Sequence, residues 1–143
     1  MTPELFRKIL VATDDSERNR PAVVEAIRIA LACGAELHAV YVADTSAFDA
    51  ASTDVVIGDT WGLMQREAEE ALARVHTMAG GVKPVTAVLS GKPAPEIVRY
   101  AAENGIDLIV IGTQGKRGIE RLFLGSVAEA VVRTAGCGVL VVK

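Results

Sequence analysis

Apolar positions along the chain alternate between two patterns: short unbroken runs, and longer stretches with helical spacing. Lys8-Ile9-Leu10-Val11-Ala12-Thr13 is continuous and apolar, which predicts a central strand covered on both faces. From about Arg18 to Cys33, the residues Val23, Ala26, Ile27, Ala30 and Leu31 share one face, predicting a helix closed by Gly34. Leu37 to Val42 predicts the second strand. Thr45 to Asp59 is small, polar and acidic, with Phe48 and Val55-Val56-Ile57 as isolated apolar points, and it predicts a mobile connection. From about Thr60 to Ala79 a helical face returns in Trp61, Met64, Ala68, Ala71, Leu72, Val75 and Met78, ending at Gly80-Gly81.

The second half repeats the alternation. Val85 to Leu89 predicts a third strand, placed at an edge by Pro84 and the polar Thr86. Ser90-Gly91-Lys92-Pro93 predicts a turn, and Ile97, Tyr100 and Ala101 mark the buried face of a helix that Asn104-Gly105 closes. Asp107 to Ile111 predicts the fourth strand, Val127 to Thr134 a helix, and Gly138 to Val142 the fifth strand. Alternating strands and helices predict one α/β domain over residues 1–143, with a parallel sheet and right-handed crossovers. No internal repeat or domain boundary interrupts the pattern.

Composition narrows the function. A net charge of −3 argues against a general nucleic-acid binder. No apolar run approaches the roughly 20 residues of a membrane span, and the opening Met-Thr-Pro-Glu-Leu-Phe-Arg-Lys lacks the apolar core of a signal peptide. The expectation is a cytoplasmic protein without a membrane partner. Cys33 and Cys137 show no metal or disulfide spacing and are expected to be buried thiols. His38 and His76 lie in no ligand-like cluster and are expected to be without function.

The chemistry concentrates after the fourth strand. Four glycines, Gly112, Gly115, Gly118 and Gly125, are interleaved with Lys116, Arg117 and Arg121 and lead into a helix. Glycine lets backbone approach a ligand, and free N–H groups of such a loop or helix start attract anions. In a parallel α/β fold, ligands sit at the carboxyl ends of the strands. That brings Thr13-Asp14-Asp15, Val42-Ala43-Asp44 and the glycine loop to one rim. Neither the dinucleotide fingerprint nor the Walker-type loop is present, because Gly115-Lys116-Arg117 lacks the final hydroxyl residue.

The spacing does match Gly-x2-Gly-x9-Gly-Ser, at Gly112, Gly115, Gly125 and Ser126. This resembles the nucleotide-binding signature of the universal stress protein family. The resemblance extends to Ile9-Leu10-Val11-Ala12-Thr13-Asp14-Asp15-Ser16, Val40-Tyr41-Val42-Ala43-Asp44, Gly91-Lys92-Pro93 and the ending Cys137-Gly138-Val139-Leu140-Val141-Val142. Gly138 departs from it, standing where the family often has proline.

The resemblance implies an open sheet in the order 3-2-1-4-5 with helices on both faces (Rossmann-like), and ATP as the ligand; a single Mg²⁺ bound mainly by phosphates and water would fit that chemistry. By that analogy Ala12, Thr13, Asp14 and Val42 hold the adenine and ribose side. Gly112, Thr113, Gln114, Gly115, Lys116, Arg117, Gly118, Gly125, Ser126 and Val127 hold ribose and phosphates. It also implies a homodimer joined through the last strand, an edge that is short, apolar and nearly uncharged.

Plainer readings stand beside these. Ser126, followed by Glu129, has the capping-box pattern and serves as an N-cap bonding the Glu129 N–H. Asp14 serves as a turn residue, and Lys116, Arg117 and Arg121 as solvated charges. No nucleophile with an adjacent base is evident, so the expected role is an ATP-binding stress or regulatory module, at most a slow ATPase. A nucleotide-independent stress-linked homodimer is the alternative. A phospho-acceptor receiver lacks its aspartate after strand three, where Leu89-Ser90-Gly91 stands. A dinucleotide oxidoreductase lacks its glycine fingerprint after strand one.

Overall fold

The computed structural model describes residues 5–46, 54–113 and 124–143, with the side chains of 54–59 left out of the description. Its elements run β1 (Lys8–Ala12), α1 (Arg20–Cys33), β2 (Glu36–Asp44), α2 (Asp54–Ala79), β3 (Val85–Gly91), α3 (Pro93–Glu103), β4 (Leu108–Gly112), α4 (Ser126–Thr134) and β5 (Gly138–Val142). The strands form one parallel sheet in the order β3-β2-β1-β4-β5. This is the expected order, with β3 and β5 at the edges.

The unbroken apolar runs follow from burial on both faces. Along β1, Ile9 and Val11 pack with α1 and α2, whereas Leu10 packs with α3 and α4. The same alternation places Leu37, Ala39, Leu108 and Val110 on the first face and Val40, Ile109 and Ile111 on the second. Each large apolar side chain so buried contributes about 1.5–3 kcal/mol, more than an exposed ion pair at about 0–1 kcal/mol. The two apolar layers therefore decide the fold.

Strands β2 and β3 run past their predicted ends, to Asp44 and Gly91, and α3 starts at Pro93, so the predicted Ser90–Pro93 turn shrinks to Lys92, because pairing with β2 continues to Gly91. Two helix starts also differ. Helix α2 begins at Asp54, so the last six residues of the supposed Thr45–Asp59 connection are helical. Extending an existing helix by one residue costs far less than nucleating one. The strongly amphipathic stretch after Thr60 carries the helix upstream through Val55-Val56-Ile57 despite Gly58 and Gly62. Residues 47–53 lie outside the described part. Helix α1 starts at Arg20 rather than Arg18, with Asn19 at the cap position and Gly34 ending it at φ 64°.

His38, expected to be an unremarkable strand residue, joins two layers. It is buried, with Nδ1 2.7 Å from the Tyr100 hydroxyl and Nε2 2.7 Å from Glu36 Oε1. A carboxylate only accepts, so Nε2 donates to Glu36, and in the tautomer with its proton there Nδ1 accepts from Tyr100. Burial, then the charge of Glu36, pushes the Tyr100 hydroxyl above the usual phenol range, so it keeps the proton it donates. Tyr100→Phe leaves Nδ1 buried without a donor, which costs about 1–3 kcal/mol. Urea denaturation should show that loss. Adding His38→Leu to Tyr100→Phe should cost less than the two single changes together; strictly additive losses would mean that the bond contributes nothing.

Candidate functional site

The carboxyl ends of β2, β1 and β4 are neighbours, as the strand order requires. The Thr13 N–H donates to the Val40 carbonyl at 2.9 Å, so the chain stays beside β2 as it leaves β1. Ala12, Val42 and Val127 are half-buried and pack on the same apolar cluster, on the α3 and α4 side of the sheet. Three of the expected nucleoside and phosphate residues, from three different elements, therefore lie on one side of the sheet.

Beyond Thr13 the chain turns sharply. Asp14 Oδ1 accepts from the Ser16 N–H at 2.9 Å and the Ser16 hydroxyl at 2.6 Å. The turn reading of Asp14 is thus observed, and the described bonds fall on one of its two carboxylate oxygens. Ser16 Oγ accepts from the Asn19 N–H at 3.2 Å, and Asn19 Nδ2 donates to the Ala12 carbonyl at 3.1 Å. Asn19 and Ser16 fix the loop that carries Asp14, a role the sequence analysis missed. The available signal was Asn followed by Arg-Pro at a helix start.

On the other side of β1, Gly112 ends β4 and Thr113 follows it, its N–H donating to the Val142 carbonyl at 3.2 Å. The Gly125 N–H donates back to the Thr113 carbonyl at 2.6 Å. That bond sets the start of α4 against the end of β4. Gln114, Gly115, Lys116, Arg117 and Gly118 lie outside the described residues, as does Arg121.

The helix start differs from the capping-box expectation. Gly125, with φ −61° and ψ 156°, holds the N-cap position, and Ser126 is the first helical residue. The Glu129 N–H donates to the Gly125 carbonyl at 2.9 Å, as an ordinary helical bond. The glycine of the motif adopts the extended cap conformation and shifts the serine into the first turn. The first-turn N–H groups of Ser126, Val127 and Ala128 precede the first intrahelical donor. Together with the Ser126 hydroxyl, they form a start suited to an anion.

The two cysteines are half-buried rather than fully buried. Burial, then the negative charge of Asp107, pushes the Cys137 thiol up, so it remains protonated at neutral pH and is a poor nucleophile. Among the described residues no group of three or more His, Cys, Asp or Glu is arranged to hold a metal. No described helix is long and apolar enough to cross a membrane.

Comparison with known proteins agrees with the fold. The family model of the universal stress protein family matches residues 5–143. A universal stress protein of Methanocaldococcus jannaschii is 45% identical over 141 residues, covering 97% of this chain and 83% of that protein. The solved structure of the universal stress protein UspA from Lactobacillus plantarum has a TM-score of 0.84 and 31% identity, covering 96% of this chain and 97% of the other. A universal stress protein from Archaeoglobus fulgidus, solved in complex with dAMP, has a TM-score of 0.70 and 25% identity, covering 97% and 99% of the two chains.

Proposed function

The chain belongs to the universal stress protein family, and from that premise we propose that it is an ATP-binding regulatory module of the cytoplasm, working as a homodimer. One observation carries the nucleotide reading. The Gly125–Ser126 helix start is hydrogen-bonded to the end of β4, one strand away from the Asp14 loop. A phosphate chain on the first-turn N–H groups of α4 leaves its nucleoside directed across the sheet ends, toward Asp14 and the half-buried Val42. Ala12 and Val127 then form the apolar wall beneath ribose and base.

The residues present fit such a ligand. The helix start supplies donors for phosphate oxygens, and the second Asp14 oxygen, which accepts no bond among the described residues, suits a hydroxyl or an exocyclic amine. Gly112, Thr113, Gly115 and Gly118 belong to the phosphate side by their motif positions, with Gln114, Lys116 and Arg117 between the glycines. Mg²⁺ would be held by phosphate oxygens and water. That a relative was solved with dAMP supports an adenine nucleotide as the class of ligand.

Titration calorimetry with ATP and Mg²⁺ tests the reading. Nucleotide-free protein is expected to release heat that saturates at one ATP per chain and to lose the response when adenosine competes. A flat titration, with protein verified to carry no copurified nucleotide, would refute it and leave the nucleotide-independent homodimer.

A further inference from the structure

We infer that Arg74 is a positioning residue for the nucleoside end of the site, tying helix α2 to the loop after β1 through Asp15; this rests on the nucleotide-binding reading above. Asp15 has φ 62° and is the described non-glycine residue with a positive φ. Asp is one of the few L-residues that visits this left-handed region singly, and it stays there where the surroundings hold it. Two contacts do so. The Asp15 N–H donates to Thr13 Oγ1 at 3.2 Å, and Asp15 Oδ2 accepts from Arg74 Nη1.

The origin of these contacts matters. The other side-chain bonds described for the loop are local: Thr13 with Asp15, Asp14 with Ser16, Ser16 with Asn19, and Asn19 with Ala12; the backbone bond from Thr13 to Val40 holds only the loop's start against β2. Arg74 reaches in from a different element, α2, fifty-nine positions along the chain. Asp15 shares a peptide bond with Asp14. A change in the Asp15 backbone therefore turns that peptide and displaces the carboxylate proposed to meet the nucleoside. Beside the ion pair, a pocket of about 80 Å³ lies between α1 and α2, lined by Asn19, Val23, Val75 and Met78 among others. Asp15 and Arg74 themselves line it, and the ion pair is the described polar tie between them.

A plain surface ion pair is the competing account. The Arg74 side chain is 59% exposed and Asp15 29%, and such pairs add little to global stability. The two accounts differ at the ligand. A positioning pair couples to binding, and by reciprocity a bound nucleoside must then favour the docked α2. A surface pair does neither.

The test compares the full-length wild type with Arg74→Ala, Asp15→Ala, the double variant and Arg74→Lys. Adenosine is the probe, because it is neutral and its binding is insensitive to the loss of a nearby cation. Calorimetric titration is paired with hydrogen exchange of segment 13–19 in the ligand-free proteins. Each single alanine change is expected to weaken adenosine about three- to fivefold and to speed exchange in that segment. The double variant should be no weaker than either single change, and Arg74→Lys should recover part of the affinity. Adenosine affinity in Arg74→Ala equal to that of a binding wild type, or single effects that multiply in the double variant, overturns the inference alone. A wild type that binds neither adenosine nor ATP overturns the nucleotide reading, and the positioning role falls with it.

Discussion

Gly125→Val is expected to weaken ATP binding at least tenfold, about 1.4 kcal/mol, while leaving the protein folded. The backbone at Gly125 is extended, at φ −61° and ψ 156°, a conformation that a β-branched residue adopts readily. Glycine is therefore not required there by dihedral strain. Its N–H bonds the Thr113 carbonyl and its carbonyl accepts from Glu129, and valine preserves both bonds. What valine adds is a branched side chain at the mouth of the helix start, where phosphate oxygens would approach the N–H groups of the first turn. Calorimetry measures the affinity, and a thermal melt verifies the fold. Unchanged ATP affinity in a folded variant would assign Gly125 a purely structural role.

Val141→Pro is expected to convert the proposed dimer into a folded monomer. Strand β5 has β4 on one side and, among the described residues, no partner strand on the other. Successive residues of a strand direct their N–H and C=O groups to opposite sides. The Val142 carbonyl accepts from Thr113, toward β4, so the Val141 N–H points to the open edge. Proline there removes a donor from the edge and none from the β4 pairing. The edge is short and apolar, with Lys143 as its one charge, and invites an antiparallel copy across a two-fold axis. Light scattering should report one chain for the variant and two for the parent. A monomeric parent, or an equally dimeric variant, would exclude this interface.

The sequence alone determined the fold class, because burial on both faces leaves its own pattern. A central parallel strand is apolar along most of its length, as Ile9-Leu10-Val11 and Leu108-Ile109-Val110-Ile111 are, while each covering helix needs one apolar stripe. Those two periods identify strands and helices without reference to distant contacts. The long glycine spacing and the first-strand motif pointed to the family, and the strand order followed from that resemblance. Chain ends of elements were less legible. The upstream extension of α2 to Asp54 is decided by helix propagation, and the shift of Ser126 into the first turn by the backbone that Gly125 adopts. Only the tertiary structure decided which polar groups meet. His38 lies between Glu36 and Tyr100, sixty-two residues from the latter, and Asp15 finds Arg74 on a separate helix. Such partners are chosen by how layers stack in space, and the one-dimensional pattern carries no term for that. Hydrophobic periodicity records which face a residue turns inward, but not which side chain of another element waits there.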